Sequence, residues 1–196
     1  MNSFLLVPLI SLLVLPTAWL EGRVLSKATS AAWPAILSLV LLLYFPWGIA
    51  IAVTRCMKIG PLALIGFLMV AVGLFLLGMA LPLIHRVPGQ IQSLPQRLVV
   101  EGPYRWIRHP IYLSHFFLIG GSALAFGALK VFLEAPLLLG MAAIAAKYEE
   151  SRRLLPLFGK TFERYKAQTH FLLPTWGWVV IGFIYGLVAL WDLFLE

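Results

Sequence analysis

A chain of 196 residues that is 61% hydrophobic and only 12% charged, with a mean hydropathy of +0.94, carries more apolar surface than one small soluble core can hide. Its 15 Lys and Arg against 8 Asp and Glu leave a formal charge of +7. In so apolar a chain that charge reads as attraction to an anionic membrane surface, and it makes a nucleic-acid partner unnecessary.

Apolar runs close to the ~20 residues that cross a hydrocarbon core fall at 4–20, 33–53, 61–84, 111–128, 130–147 and 176–195. They predict an all-α, polytopic membrane helix bundle of about six transmembrane helices, five at the fewest. The whole of 1–196 reads as a single membrane domain: N-terminal spans in 1–84, a catalytic core in 85–175 and a C-terminal transmembrane helix in 176–196. The first run, Phe4 to Leu20, has no positive segment ahead of it, and its cations follow at Arg23 and Lys27. That order suits an N-out spanning helix better than a cleaved leader. Further along, the single Cys56 excludes an internal disulfide framework.

Two long polar stretches, 85–110 and 148–175, interrupt the apolar pattern. If the first is cytoplasmic, alternation puts Arg23, Lys27, Arg86, Arg97, Arg105, Arg108, Lys147, Arg152, Arg153, Lys160, Arg164 and Lys166 on that side. Only Arg55, Lys58 and Lys130 remain outside, so the chain obeys the positive-inside tendency. Both polar stretches then emerge on one face, as a site assembled at one end of a bundle requires.

The first stretch opens with Pro82, Pro88, Gly89 and Pro95, which oppose a continuous helix and free backbone groups for a ligand. From 97 to 112 it concentrates three arginines, a histidine, two tyrosines and a glutamate between apolar tracts. The segments after it are split near Gly127 and Lys130 and read as a helical hairpin. Beyond the hairpin, Glu149 to Phe158 predicts a short amphipathic helix stopped by Gly159, with another from about Thr161 to Gln168. Adjacent Glu149 and Glu150 point about 100° apart on a helix, so they cannot share one proton as a dyad. His109 and His115 lie six apart on different sides of any helix joining them, which argues against a metal site.

The ordered pattern Leu98-Val99, Gly102-x-Tyr104, Arg108-His109-Pro110-x-Tyr112, a hydrophobic hairpin, Glu149-Glu150, Phe158-Gly159, Tyr165 and Leu173-Pro174 resembles the isoprenylcysteine carboxyl methyltransferase family. The related phospholipid N-methyltransferases share much of it. The likeness spans roughly 85–175. It implies an integral membrane enzyme that binds S-adenosylmethionine without a Rossmann domain, and the chain has no strand-Gly-x-Gly-x-x-Gly-helix unit. Carried over by position, cofactor contacts come from Gln96, Arg97, Leu98, Val99, Tyr104, His109, Pro110, Ile111, Tyr112 and Glu150, with Gln90 a weaker candidate. Glu150 and Arg108 are the implied catalytic pair.

S-adenosylmethionine joins a sulfonium, an amino-acid head and a flat adenine, so aromatic faces, hydrogen-bonding groups and an anion suit it; an aromatic face attracts a cation by roughly 0.5–2 kcal/mol. The resemblance also implies a lipophilic substrate entering from the bilayer, contacts with membrane lipids, and an active site on the cytoplasmic side. In the eukaryotic carboxyl methyltransferases an arginine serving the substrate lies one turn before the glutamate matching Glu150; here that position is Ala146. Lys147 and Arg153 are the candidate replacements. The acceptor therefore stays open among a carboxylate, a phospholipid amine and a thiol. Membrane sterol reductases, which use NADPH, share the Arg-His-Pro-x-Tyr segment, but they typically carry asparagine where Ile111 stands. A small transporter would call for ionisable groups within several spans, and His115 is the clear mid-segment one.

Overall fold

The computed structural model describes residues 44–54, 60–85 and 97–195. The run at 4–20, the start of the run at 33–53, and Arg86 to Gln96, which include Gln90 and the cofactor candidate Gln96, lie outside them.

Helix α1 covers Tyr44–Thr54 and α2 covers Leu62–His85. A 3-10 turn at Gly102–Arg105 leads to α3, Pro110–Ala125. The chain continues as α4 (Leu129–Glu134), α5 (Pro136–Glu149), a π-helical turn at Glu150–Leu154 and α6 (Leu155–Phe158). Helices α7 (Lys160–Gln168) and α8 (Thr175–Leu195) complete it. Among the described residues there is no strand, only an isolated parallel bridge between Ile107 and His170.

Helices α2 and α3 form the main pairing and run antiparallel. Gly66 of α2 lies against Gly121 and Ala125, and Gly73 lies against Ser114 and Leu118. A Cβ on Gly121 would sit 2.8 Å from the Gly66 carbonyl oxygen, so the two backbones touch where both residues lack side chains. Small residues permit this approach, which suits helices whose other faces meet lipid. The predicted hairpin turn falls at Gly127. Its φ of 71° is left-handed, and Ala128 N–H bonds the Ala123 carbonyl while Gly127 N–H bonds that of Leu124. That paired pattern closes the end of α3 and ends it earlier than the apolar run predicts. On the far side, Tyr185 of α8 stacks on Phe132 at 4.4 Å and donates its hydroxyl to the Phe132 carbonyl at 2.9 Å.

Two helical stretches are long and apolar enough to cross a membrane, Leu62–Ile84 and Leu129–Phe158; Tyr44–Thr54, Pro110–Ala125 and Thr175–Trp191 are apolar but shorter. The second stretch has 30 residues. At 1.5 Å per residue it is roughly 45 Å long, against a hydrocarbon core of about 30 Å. The stretch is thus longer than that layer is thick, and its polar end from Lys147 onward, which carries Glu149 and Glu150, follows the apolar run of 130–147.

The π turn has a local cause. Pro156 has no N–H to give to the Arg152 carbonyl, and its ring crowds that oxygen. The preceding turn opens, so that Leu155 N–H bonds Glu150. Gly159, at φ 46°, then stops α6 as predicted and turns the chain into α7.

Candidate functional site

Backbone pairing brings the two polar stretches together. Arg108 N–H donates to the His170 carbonyl at 2.9 Å, and His170 N–H donates to Trp106 at 2.8 Å, pinning 106–108 against the end of α7. Pro110 then starts α3 with its φ already helical and with no N–H to satisfy. His109 precedes it without using its side chain as a cap, so the imidazole is free to turn towards the π segment.

The centre of the cluster is the Glu150 carboxylate. Its Oε1 accepts Arg108 Nε at 2.7 Å and lies 3.0 Å from His109 Nε2. Arg108, His109 and Glu150 are all buried, with side chains 8%, 4% and 10% exposed. Both contacts fall on Oε1, which leaves Oε2 without a hydrogen bond among the described residues. Burial alone raises the Glu150 pKa, but the bonds from His109 and Arg108 outweigh it and hold the carboxyl below its usual range. A second nitrogen of the Arg108 guanidinium is also engaged. Its Nη1 donates to the carbonyls of Thr169 at 2.7 Å and Lys166 at 3.1 Å, and its Cζ lies 5.4 Å from the Phe171 ring centroid. Arg108 thus satisfies carbonyls left over at the C-terminal end of α7, where a cation also suits the helix dipole.

Glu149 is placed differently. Its side chain is 26% exposed, with Tyr112 Oη at 3.4 Å and His109 Nδ1 at 3.9 Å from its Oε2. The two adjacent glutamates do not meet each other, as helix geometry predicts. They address opposite nitrogens of one imidazole instead, an arrangement that the sequence reading did not foresee. The His109 ring also meets Phe171 edge-on at 5.4 Å and tilts against Tyr112 at 5.6 Å.

A second, smaller group adjoins this one. Val99 and Tyr104 are buried with Ala80 of α2, and Ile111 and Leu83 pack against them. Tyr165 of α7 donates its hydroxyl to the Tyr104 carbonyl at 2.7 Å. The Tyr104 hydroxyl is itself buried without a partner among the described residues. Burial, then the negative charge of Glu149, pushes its pKa well above the ordinary phenol value, so it is a permanent donor.

The remaining predicted residues are less central. Pro110 is buried at the start of α3, and Leu98 is half-buried. Arg97 is exposed and lies 3.8 Å from Glu101. Lys147 is exposed and Arg153 half-buried, while Ala146 is completely buried. Phe171 was absent from the candidates, and only its place just before Leu173-Pro174 hinted at it. Tyr165 belongs to the sequence pattern, and its bond to the Tyr104 carbonyl gives it a place in the site.

A separate cavity of about 650 Å³ opens among α1, α2 and α3, lined by Trp47, Leu74, Leu118 and Phe126 among others. Leu118 and Phe126 lie about 12–24 Å along α3 from Pro110, so this space is not the polar cluster. Among the described residues no group of three metal-ligating side chains occurs.

As a donor set, the cluster suits S-adenosylmethionine. The orphaned Tyr104 hydroxyl in the adjoining group, the Glu150 Oε2 and the rings of Tyr112 and Phe171 offer a hydrogen bond, an anion and aromatic faces. The model of the phospholipid methyltransferase family matches residues 61–161, just over half the chain. That match contains α2, α3, the hairpin and both glutamates. No curated protein and no solved structure matches the chain.

Proposed function

The chain belongs to the phospholipid methyltransferase family, and from that premise we propose that it is a multi-pass membrane enzyme transferring a methyl group from S-adenosylmethionine to the amine of a phospholipid head. The site sits at the cytoplasmic end of the bundle, and the acceptor enters from the bilayer. Residues 85–175 form its catalytic core, between N-terminal spans and a closing C-terminal helix in a bundle of about six.

The observation that carries the choice of acceptor is the sign of the uncommitted charge. Arg108 is consumed by Glu150 and by the Lys166 and Thr169 carbonyls, while Ala146 is buried where carboxylate-methylating relatives place their arginine. Glu149 remains partly exposed beside Tyr112. A carboxylate acceptor would be repelled there and an ammonium attracted. Lys147 is exposed, which weakens it as a replacement anchor.

S-adenosylmethionine, when bound, supplies an electrophilic methyl group and departs as a neutral thioether. The chain's own residues bind and orient. Tyr104, Val99, Ile111 and Leu98 would hold one side of the cofactor, and Glu150 Oε2 would take the ammonium of its methionine head. Arg108 and His109 hold Glu150 in place, and Tyr112 and Phe171 would offer rings to the sulfonium. In-line transfer then needs the acceptor nitrogen at near-attack distance with water excluded.

Purified protein is to be incubated with labelled S-adenosylmethionine and a panel of amine-headed phospholipids, prenylcysteines and thiols. The expected product is an N-methylated phospholipid. Labelling confined to a prenylcysteine carboxylate or to a thiol would overturn the amine assignment, and failure to bind the methyl donor would overturn the reading as a whole.

A further inference from the structure

We propose that the cavity among α1, α2 and α3 receives one acyl chain of the acceptor lipid and so selects acceptors by chain length; this rests on the amine-acceptor reading above.

The cavity and the Tyr104 group lie on the same helix faces. On α3, Ile111 packs against Val99 and Tyr104, while Leu118 lines the cavity. Seven residues bring an α-helix back to within about 20° of its starting direction, so these two side chains form one stripe, about 10 Å apart along the axis. The antiparallel α2 repeats the arrangement, with Ile84 in the Tyr104 group and Leu77 on the cavity. Both are therefore levels of a single α2–α3 seam. A lipid whose head reaches the polar cluster can lay a tail along that seam into the cavity.

Length and polarity both suit a hydrocarbon chain. The volume of about 650 Å³ falls among sites that hold whole ligands, about 300–1,000 Å³. Tyr44 lines the space, and its hydroxyl is hydrogen-bonded to His115 Nδ1 at 2.6 Å, which fixes it at the end nearer the cluster and engages both polar groups with each other. From that level to Phe126, α3 rises roughly 16 Å, about half of a ~30 Å hydrocarbon core and so the depth of one leaflet. A polar metabolite finds few partners there. An acyl chain, in turn, exchanges lipid neighbours for equally apolar protein, so burial adds little affinity and the cavity acts by fit. A chain too short to reach Trp47 and Leu118 leaves those walls without contacts.

Gly48 lines the cavity, and a Cβ there meets nothing within 4 Å, so Gly48→Phe puts a ring into the space without pressing on a neighbour. Gly140→Phe is the control, equally unobstructed and away from the cavity. With dioleoyl and dihexanoyl phosphatidylethanolamine in mixed micelles, Gly48→Phe is expected to lower the long-to-short ratio of kcat/KM about tenfold, with S-adenosylmethionine affinity within about threefold of wild type. The control should keep the wild-type ratio. Without methyl donor, a phosphatidylethanolamine carrying a diazirine at the end of one acyl chain should label residues 47–52 and 118–126 in the wild type and lose that labelling in Gly48→Phe. An unchanged ratio in Gly48→Phe, or labelling spread over the exposed face of α8 instead of those stretches, would overturn the assignment, and wild-type turnover would leave the proposed function standing. Labelled cavity residues with an unchanged ratio would make the occupant a resident lipid and overturn it as well. A wild-type protein that methylates no amine-headed lipid sinks the proposed function and this assignment with it.

Discussion

Glu150→Gln separates architecture from chemistry most sharply. In the native protein one carboxylate oxygen receives Arg108 at 2.7 Å and His109 at 3.0 Å, with all three side chains at most 10% exposed. Removing one member of a buried ion pair costs about 3–5 kcal/mol, because the remaining charge is left without compensation. Glutamine keeps an acceptor oxygen, and Arg108 keeps the Lys166 and Thr169 carbonyls, so the expected loss is at the lower end, about 3 kcal/mol. Reversible unfolding in mixed micelles with increasing SDS, followed by tryptophan fluorescence, measures it. Glu149→Gln is the control: a 26% exposed side chain with contacts of 3.4 and 3.9 Å should cost under about 1 kcal/mol. The acid limb adds a second reading. The folded Glu150 pKa lies below its ordinary value of 4.5, so the stabilisation is complete above about 4.5 and is lost as pH falls through the lower folded value. The glutamine variant cannot titrate there and should lack that component of the acid loss. Equal destabilisation by the two substitutions would refute the claim that Glu150 holds the cluster together.

Three further outcomes are expected. Tyr165→Phe removes the 2.7 Å bond to the Tyr104 carbonyl and should lower stability by about 1–3 kcal/mol while weakening S-adenosylmethionine binding, measured by thermal unfolding and calorimetry. Gly121→Val forces apart two backbones already in contact and should cost about 1–3 kcal/mol, whereas Gly140→Val, with open space around its Cβ, should be tolerated; parallel thermal scans compare them. Phe171→Leu takes away the ring beneath Arg108 and should cost about 0.5–2 kcal/mol without displacing the guanidinium from Glu150, as Arg108→Ala in the same background would check by a double-mutant cycle.

Much of this was legible in the chain because it depends on short-range chemistry. Apolar runs, Gly127 and Gly159 located the helices and their stops, since a left-handed φ at a helix end selects glycine whatever surrounds it. The motif around Arg108, His109 and Tyr112, with Glu149-Glu150 beyond the hairpin, located the polar cluster, because ionisable residues are so costly in an apolar chain that their concentration is informative. What adjacent glutamates do could not be read that way. Their separation on an ideal helix says only that they diverge, and the π turn before Pro156, together with one imidazole standing between them, gives them different partners. Phe171 and the Lys166 and Thr169 carbonyls belong to the same class, since backbone groups and a phenyl ring carry no signature in sequence. Composition and spacing thus determined a helical membrane protein with one polar end. Which carboxylate is locked and which is free was decided only by tertiary packing, because it depends on distances between residues some 40 to 60 positions apart.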